Sequence, residues 1–318
     1  MIDLNIVALA GGVGGAKLVQ GLTRICPPDR LKIVVNTGDD FTMFGLSISP
    51  DLDTVLYTLA GLANPETGWG IAEDTFYVID TIGRLGGPDW FKLGDRDLAT
   101  NLLRTQLLSE GKRFTEVISD LSKTLRIPHR ILPMSDSACP TKVLTVEGEM
   151  DFQTYFVHRR WQPVVTGFRW DASSTAAPEV LEALEGADLV VICPSNPFVS
   201  IDPILMLPGV RDLLIKHTTI AVSPIIGGQA VKGPAAKMFF EMNGEEATSL
   251  AVARHYEGLL NGFVLDEVDA ELRDQVASSG VSIAVMPTMM PGLEERITVA
   301  EGVLAFGRQL VMEARTVE

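Results

Sequence analysis

Two aspartates beside a predicted helix start are the first candidates for chemistry in this sequence. The segment Ser49-Pro50-Asp51-Leu52-Asp53 offers a serine at the N-cap position and a proline in the first turn, a combination that indicates where a helix begins. The positive end of that helix accounts for one acid in the first turn. It accounts poorly for two acids two positions apart, so we predict that Asp51 and Asp53 bind a metal ion or a substrate hydroxyl group.

A glycine cluster, GGVGGAK at positions 11–17, directly follows a short apolar run. Four glycines exceed what a turn between a strand and a helix requires, and they let the backbone approach a phosphate at a helix N-terminus. The spacing matches neither the Walker pattern nor the complete dinucleotide pattern, since a lysine takes the place of the last glycine. A tight turn alone remains the alternative. The predicted phosphate-binding residues are Gly11, Gly12, Gly14, Gly15 and Lys17.

A second pair of acids ends the second predicted strand, in the sequence Asn36-Thr37-Gly38-Asp39-Asp40. A dinucleotide-binding enzyme places one acid at the strand end to contact the ribose hydroxyls, and Asn36 there weakens that interpretation. The two adjacent carboxylates are either solvated loop charges or contacts to a metal ion or a ribose. We include Asn36, Asp39 and Asp40 among the predicted nucleotide-binding residues.

Cations and acids alternate in the sequence KLGDRD at positions 92–97, where a long helix is predicted to begin. An ordinary capped surface helix with local ion pairs would explain them. Lys92 and Arg96 are four positions apart, so both could hold one phosphate if the helix extends back to Lys92. On that condition we predict Lys92 and Arg96 to be catalytic residues.

Two later loops carry short polar side chains and glycines at the same predicted edge of the sheet. They are 194–202 and 223–237, and each follows an apolar run. Each loop alone is a weak signal, but together with Lys232 and Lys237 they predict a second anion-binding face. The residues assigned to this face are Ser195, Asn196, Ser223, Gly227 and Gly228.

The elements that must position these residues alternate between strands and helices. Leu4 to Ala10, a helical pattern over 15–25 and a second apolar run at 31–35 predict a βαβ unit with parallel strands. Ligands bind at the carboxyl ends of such strands. The glycine cluster and the other loops named above should therefore meet at one edge of the sheet.

The later half of the chain repeats this alternation, whereas the middle does not. Residues 50–125 show mainly helical patterns, and residues 141–168 show short strands. We predict an α/β fold, with a Rossmann-like, doubly wound, mainly parallel sheet built from residues 1–49 and 170–318. Residues 50–169 form the predicted insert, a largely helical subdomain with short strands.

Composition and charge limit the classes of partner. Lys plus Arg total 26 against 41 Asp plus Glu, a formal net charge of −15, which argues against broad, salt-driven nucleic-acid binding. An acidic chain can still bind phosphates through backbone N–H groups, a few cations and a divalent metal held by carboxylates. No stretch reaches the roughly 18 apolar residues of a membrane helix, so we expect a cytoplasmic protein without a membrane partner. Three cysteines far apart in sequence predict reduced core thiols.

The motifs, taken in order, resemble one family. They are GGVGGAKL, NTGDD, SPDLDTVLYTL, GWGI, DTF, KLGDRD, ILPMSD, PSNPFVSI and SPIIGGQAVKGPAAK, and they span nearly the whole chain. This series resembles the 2-phospho-L-lactate transferase family of coenzyme F420 biosynthesis, which includes bacterial phosphoenolpyruvate transferases. The opening departs from the GGTGTPKL common among archaeal members at Val13, Gly15 and Ala16.

The resemblance implies a Rossmann-like core and a Mg²⁺-dependent transferase that joins a phosphorylated three-carbon acid to the deazaflavin Fo. The donor is a diphosphoguanosine derivative of lactate or enolpyruvate; the terminal ribityl hydroxyl of Fo attacks its distal phosphorus, and GMP leaves. The family match implies Fo contacts at Asp53 and Lys92 and Mg²⁺ near Asp51 and Asp53. It also implies guanosine diphosphate on the glycine cluster and the later loops. Cytosolic enzymes are most often dimeric, so a homodimer is the expected assembly.

Two other functions remain open at this point. A nucleotide-sugar-binding regulator that shares this core catalyses no transfer, and such relatives carry a glycine- and serine-rich stretch where this chain has FTMF at 41–44. An NAD-dependent oxidoreductase is a fold-level analogy that lacks the full glycine pattern and the second-strand acid. Fo is planar and aromatic and needs an apolar slot, for which Trp69, Trp90 and Phe91 are candidates, although each could equally be a core residue.

Overall fold

The structure, a computed structural model, describes residues 4–230 and 233–317. Short strands and helices alternate along most of the chain. The strands are β1 (Ile6–Ala10), β2 (Leu31–Val35), β3 (Phe41–Met43), β4 (Leu46–Ile48), β5 (Arg130–Pro133), β6 (Lys142–Thr145), β7 (Gly148–Asp151), β8 (Val165–Arg169), β9 (Leu189–Ile192), β10 (Thr218–Val222), β11 (Ile225–Ile226), β12 (Gln229–Ala230), β13 (Gly262–Leu265) and β14 (Ser282–Val285).

The helices cover both faces of the main sheet and extend around it. They are α1 (Gly12–Ile25), α2 (Pro50–Leu59), α3 (Tyr77–Arg84), α4 (Asp95–Ser109), α5 (Phe114–Thr124), α6 (Pro178–Glu185), α7 (Asp202–Leu205), α8 (Val210–Lys216), α9 (Ala235–Asn243), α10 (Ser249–His255), α11 (Arg273–Ala277) and α12 (Leu293–Val317). Thr154–His158 and Pro197–Ile201 form single π-helical turns, and Glu267–Leu272 forms a 3₁₀ helix.

Seven strands form one parallel sheet in the order β5-β2-β1-β9-β10-β13-β14. Ile6 of β1 lies opposite Leu31 of β2 on one side and opposite Leu189 of β9 on the other. The chain proceeds outward from β1 to β5, then returns to β9 and proceeds outward to β14 in the other direction. This reversal places the topological switch point between β1 and β9. The predicted Rossmann-like, doubly wound, mainly parallel sheet is confirmed.

Successive strand residues enter two different cores, because side chains of a strand alternate between its faces. Ala8, Ile33 and Val191 pack with apolar residues of α1, α2, α5 and α12. Val7 and Val190, one position earlier, pack on the opposite face with residues of α6, α8, α9 and α10. Burial of both faces explains why these strands are continuous apolar runs in the sequence.

Most of the residues between β2 and β9 form additions around this sheet. β3 and β4 form an antiparallel hairpin, and β6 pairs with β7 and β8 in a second, antiparallel sheet. β5 lies inside the range 50–169 that was assigned to the insert, yet it pairs with β2 as an edge strand of the main sheet. The range 50–169 therefore contributes one core strand as well as the helical and short-strand additions, while the division into domains stays a prediction.

β13 is a main-sheet strand that, like β5, sequence patterning does not predict. It consists of a glycine followed by three apolar residues, which is too short to stand out. A Cβ on Gly262 would lie 2.6 Å from Leu310 Cδ1, so the glycine is required by close packing of α12 on the sheet.

The three cysteines are buried and free, as predicted. In the described ranges no helix has both the length and the apolar character needed to cross a bilayer.

Candidate active site

The loops that follow β1 and β9 meet at the switch point of the sheet. Ser195 accepts a hydrogen bond from the Gly11 N–H at 3.2 Å and donates its hydroxyl proton to the Gly11 carbonyl at 2.7 Å. Both partners are buried. The double contact holds the two loops together, so Gly11 and Ser195 are neighbours as the strand order requires.

The glycines of the cluster are needed first for close packing between these loops. A Cβ on Gly14 would overlap the Pro194 carbonyl oxygen, and one on Gly15 would lie 2.7 Å from the Ser195 hydroxyl. Helix α1 begins at Gly12, so the cluster forms its N-terminal turn, where the N–H groups have no carbonyl partner within the helix. A Cβ on Gly11 would lie 2.6 Å from Ser200 Cβ, so packing explains three of the glycines without a ligand, and phosphate binding by the turn stays a prediction.

Four aspartates, Asp39, Asp40, Asp51 and Asp53, gather beside this turn and are called the acid cluster below. Asn36 links two of them, because its Nδ2 donates to Asp51 Oδ2 at 3.0 Å and to Asp39 Oδ1 at 3.3 Å. The Gly12 N–H donates to Asp51, which therefore lies at the positive end of α1. Asp39, Asp51 and Asp53 are buried, so the interpretation of Asp39 as a solvated loop charge is wrong.

Arg104 neutralises one acid of the cluster, and sequence patterning did not find it. Its side chain is fully buried in α4, where Nη2 forms an ion pair with Asp53 Oδ1 and Nη1 donates to Asn101 Oδ1 at 2.6 Å. Asp97, Asn101 and Arg104 recur at helical spacing on one face of α4. A polar stripe on a face that packs inward is the signal that could have identified Arg104.

Burial controls the proton affinity of the acid cluster. It is the largest cause of the raised pKa of Asp39, with repulsion from Asp51 and Asp40 adding to it. It raises the pKa of Asp51 to about 6, against hydrogen bonds from Asn36 and the Gly12 N–H. It raises the pKa of Asp53 as well, and Arg104 acts in the opposite direction. Four acids with one paired guanidinium carry excess negative charge that protons or a cation must balance.

The acid cluster has oxygen atoms of the kind that Mg²⁺ binds, enough for part of its coordination shell. In the described parts of the chain, Asp40 Oδ1 and Thr37 Oγ1 are buried without hydrogen-bond partners, so oxygens are available for a cation or water. No three His, Cys, Asp or Glu side chains of residues 4–230 and 233–317 form a ready-made metal cage. Mg²⁺ usually takes one or two carboxylates and completes its shell with water and substrate phosphates. The donor set fits that mode.

The two predicted ligands of this ion have different surroundings. Asp51 accepts from an amide side chain and a backbone N–H, whereas one oxygen of Asp53 is engaged by Arg104. Ser49 occupies the N-cap position of α2 as predicted, but its hydroxyl donates to Asp40 Oδ2 at 2.8 Å instead of capping the helix. The first turn of α2 thus places Asp51 and Asp53 in the acid cluster, and Ser49 at its N-cap position binds Asp40.

The two acids of KLGDRD have structural partners, since Asp95 caps a helix and Asp97 accepts a tyrosine hydroxyl. Asp95 accepts the N–H groups of Tyr77 and Val78 at the start of α3, both at 3.0 Å. In return, Asp74 accepts the backbone N–H groups at the start of α4, so the two helix ends cap each other. Asp97 Oδ1 accepts the hydroxyl of Tyr57 at 2.8 Å. The motif is therefore a structural clamp between α3, α4 and α2.

Lys92 and Arg96 were predicted to hold one phosphate if helix α4 extended back to Lys92, and it does not. Helix α4 begins at Asp95, so Lys92 precedes it, and the helical spacing of four does not apply. Lys92 Nζ pairs with Asp80 at 3.0 Å, and Arg96 Nη1 donates to the Ala72 carbonyl at 3.0 Å. Among the described residues neither cation bonds to the acid cluster. Lys92 remains half exposed and free to exchange its weak partner for a substrate.

The later loops are committed largely to their own structure. Gly227 and Gly228 form the two-residue turn between β11 and β12, and both have positive φ, as such hairpin turns require. Ser223 donates its hydroxyl proton to the Ile225 carbonyl, and Asn196 caps the π-helical turn through the Phe198 N–H. Lys237 forms an ion pair with Glu241 at 2.7 Å. Lys232 lies outside the described residues. A second anion-binding face here stays a prediction, with most of its groups already bonded.

Comparison with known proteins decides between the families that share this core. Residues 6–299 match the family model of the 2-phospho-L-lactate transferase CofD. The chain belongs to this family. A 2-phospho-L-lactate transferase of Methanothermobacter thermautotrophicus is 39% identical over 295 residues, covering 93% of this chain and 95% of that protein. A phosphoenolpyruvate transferase of Streptomyces griseus is 40% identical over 317 residues, covering 96% and 99%.

The family of transferases predicted from the motifs is thus confirmed. A 2-phospho-L-lactate transferase of Methanosarcina acetivorans is 41% identical over 301 residues and covers 94% of this chain and 98% of that protein. The crystal structure of a UPF0052-family protein from Bacillus halodurans matches with a TM-score of 0.61 at 17% identity, covering 96% of this chain and 99% of that one. At that identity the match shows the shared fold alone.

The segment that separated this transferase family from the alternative regulator forms part of an aromatic group. Phe41, at the start of β3, packs edge-on against Phe91 with ring centroids 4.8 Å apart, and Trp90 stacks on His158 at 5.2 Å. Two of the three aromatic residues predicted to form a slot for Fo are therefore clustered. Trp69 is not among these ring contacts, and 44% of its surface is exposed.

Proposed function

We propose that this protein transfers a phosphorylated three-carbon acid from a diphosphoguanosine donor to the terminal ribityl hydroxyl of Fo, in coenzyme F420 biosynthesis. The hydroxyl oxygen forms a bond to the distal phosphorus of the donor. The bond between that phosphorus and the bridging oxygen breaks, and GMP leaves with the bond's electron pair. The hydroxyl proton passes to a carboxylate of the protein. The three-carbon group is enolpyruvyl or lactyl.

One observation carries this proposal: an acid cluster with a single buried arginine lies at the switch point of a chain that matches transferases along nearly its whole length. Such a cluster suits phosphoryl transfer, which depends on positioning and charge neutralisation more than on covalent chemistry by the protein. The relatives include both a 2-phospho-L-lactate transferase and a phosphoenolpyruvate transferase. The identities are close to 40% for both types, so the three-carbon group is decided by experiment.

The residues of the cluster have different proposed roles. Asp53, held at one oxygen by Arg104, would orient the attacking hydroxyl with its other oxygen and accept the proton. Asp51 and Asp53 would hold Mg²⁺ together with phosphate oxygens of the donor. When bound, Mg²⁺ supplies positive charge that stabilises the diphosphate as GMP leaves. The N-terminal turn of α1 would offer N–H groups to the same phosphates.

The aromatic group and Lys92 would form the acceptor side. Trp90 and Phe91 are partly buried and lie beside the hairpin that follows Asp40. A planar deazaflavin could stack on such rings. Lys92 would contact Fo after release from Asp80, an exposed pairing that contributes little to stability.

The test is a direct transfer assay. Purified protein, Mg²⁺ and Fo are mixed in turn with the enolpyruvyl and the lactyl diphosphoguanosine donor, while GMP release and the mass of the deazaflavin product are followed. GMP together with a phosphodiester of Fo is the expected result, and the productive donor identifies the three-carbon group. Folded protein that forms no product from either verified donor would contradict the proposal and favour the nucleotide-binding regulator.

A further inference from the structure

Two half-buried cations lie where the first turn of α12 packs against the second and third turns of α1. Lys17 belongs to the second turn of α1, and Arg296 to the first turn of α12. Gly21, one turn beyond Lys17, lies so close to α12 that a Cβ there would overlap the Arg296 carbonyl oxygen. Across this contact the Arg296 guanidinium donates to Gln20 Oε1. The crossing of the two helices thus brings the cations together.

Among the described residues, neither cation is held in an ion pair. No carboxylate of residues 4–230 and 233–317 forms an ion pair with Lys17 or Arg296. The field of Glu295 acts on Arg296, but Glu295 Oε2 accepts the Gly292 N–H at 3.0 Å. Burial, followed by repulsion from Arg296, lowers the pKa of Lys17, and burial lowers the pKa of Arg296. Two like charges kept this close and partly desolvated destabilise each other.

The arginine also has a hydrogen-bond donor without an acceptor in the described part of the chain. Arg296 Nε is buried and has no partner among the described residues. A buried donor without an acceptor costs roughly 1–3 kcal/mol, and more when the group is charged. An anion would meet both needs at once, because its oxygens accept from the guanidinium and its charge offsets the repulsion.

We propose that Lys17 and Arg296 form a binding site for a phosphate-class anion beside the N-terminal turn of α1. Lys17 lies five residues along α1 from Gly12, a rise of about 7.5 Å, which a lysine side chain and a diphosphate can span. Gly12 bonds to Asp51, so the cation pair and the acid cluster lie at the same end of one helix. Only the identity of the anion rests on the proposed function: it is the diphosphate of the guanosine donor, and free inorganic phosphate is the other source.

Calorimetric titration of the full chain tests the site with two probes, GDP and inorganic phosphate. The variants are Lys17→Gln, Arg296→Gln and Arg308→Gln, the last being an exposed arginine of the same helix α12 that serves as the matched control. Each of the first two should weaken GDP binding tenfold or more, as expected for loss of a charged hydrogen bond, with the control unchanged. If phosphate binding falls and GDP binding does not, the anion is inorganic phosphate.

Thermal unfolding separates a ligand site from a structural role. Without an anion, Lys17→Gln and Arg296→Gln should unfold at the wild-type temperature or above it, since each removes a repulsion. Added GDP or phosphate should raise the midpoint of the wild type and of Arg308→Gln, and much less that of the two site variants. Unchanged affinities and an unchanged ligand-induced rise in both site variants would overturn the inference.

The outcome is independent of the transfer assay. Lost anion binding in the two site variants supports the site even if the wild type makes no Fo product, in which case the proposed function fails alone. Wild-type transfer combined with full GDP and phosphate binding by both variants refutes the site and leaves the proposed function intact.

Discussion

Replacing Arg104 by methionine is the sharpest perturbation that the structure offers. Methionine fills most of the volume of the arginine stem but removes the guanidinium that pairs with Asp53 and donates to Asn101 Oδ1 and the Ser47 carbonyl. The change therefore leaves a buried carboxylate without its counter-charge, in a cluster where Asp39, Asp40 and Asp51 already repel one another. We expect a large loss of stability from one substitution.

The magnitude follows from the burial of both partners. Arg104 is fully buried and Asp53 nearly so, and removing one partner of a buried pair costs about 3–5 kcal/mol. For a protein of this size that corresponds to a drop in Tm of roughly 4–8 °C. An exposed pair contributes no more than about 1 kcal/mol. Arg169→Met, which removes a half-exposed partner of Glu149, is therefore the matched control.

The pH dependence of the stability loss in Arg104→Met tests whether the unpaired Asp53 carboxylate causes it. Arg104 opposes the rise in the pKa of Asp53 that burial produces, so its removal raises that folded-state pKa further above the unfolded value. A carboxyl group with a raised folded-state pKa loses stability as pH increases from its unfolded pKa through its folded one. The stability deficit of Arg104→Met should thus grow between pH 5 and pH 8.

Urea denaturation of the wild type, Arg104→Met, Arg169→Met and the double variant Arg104→Met/Asp53→Asn measures this directly at both pH values. Asparagine at position 53 removes the stranded charge, so the double variant should recover part of the lost stability. The reasoning is refuted if Arg104→Met costs less than about 1 kcal/mol, the exposed-pair limit, or if its deficit is the same at pH 5 and pH 8.

Three further predictions concern the site and its supports. Asp53→Asn should lower turnover by roughly two or more orders of magnitude with unchanged circular dichroism, the usual scale for a general base, and an active variant would remove the proposed role. Burial raises the pKa of Asp97 to about 7, so this acid loses stability as pH rises from its unfolded value through 7. Asp97→Asn keeps an acceptor for its tyrosine partner and should be more stable than the wild type at pH 8; lower stability at that pH in urea denaturation would contradict this. Gly14→Ala should cost about 2 kcal/mol or more because its Cβ would overlap the Pro194 carbonyl, whereas Gly186→Ala, with its nearest atom 3.6 Å away, should cost little. Equal thermal midpoints for the two alanine variants would show that the loop around residue 194 adapts freely.

The local pattern of apolar residues was enough to predict most of the main sheet. Apolar runs such as 31–35 and 218–222 became strands with those bounds, because strands buried on both faces are necessarily continuous apolar segments. The alternation of strands and helices then indicated a parallel sheet, and parallel strands bring their following loops to one edge. β5 and β13 are not predicted from the sequence, because a short strand gains its stability from sheet partners far away in the chain.

The sequence by itself determined the family and the acids of the site, since ordered motifs and a pair of acids after a glycine-containing loop are local features. Tertiary structure decided what those residues touch. It buried Asp39, made Asp95 of KLGDRD a helix cap, started α4 after Lys92 and paired Arg104 with Asp53. Such outcomes depend on the packing of distant segments, here α2 against α4 and α1 against α12, and electrostatic effects become large only where that packing excludes water.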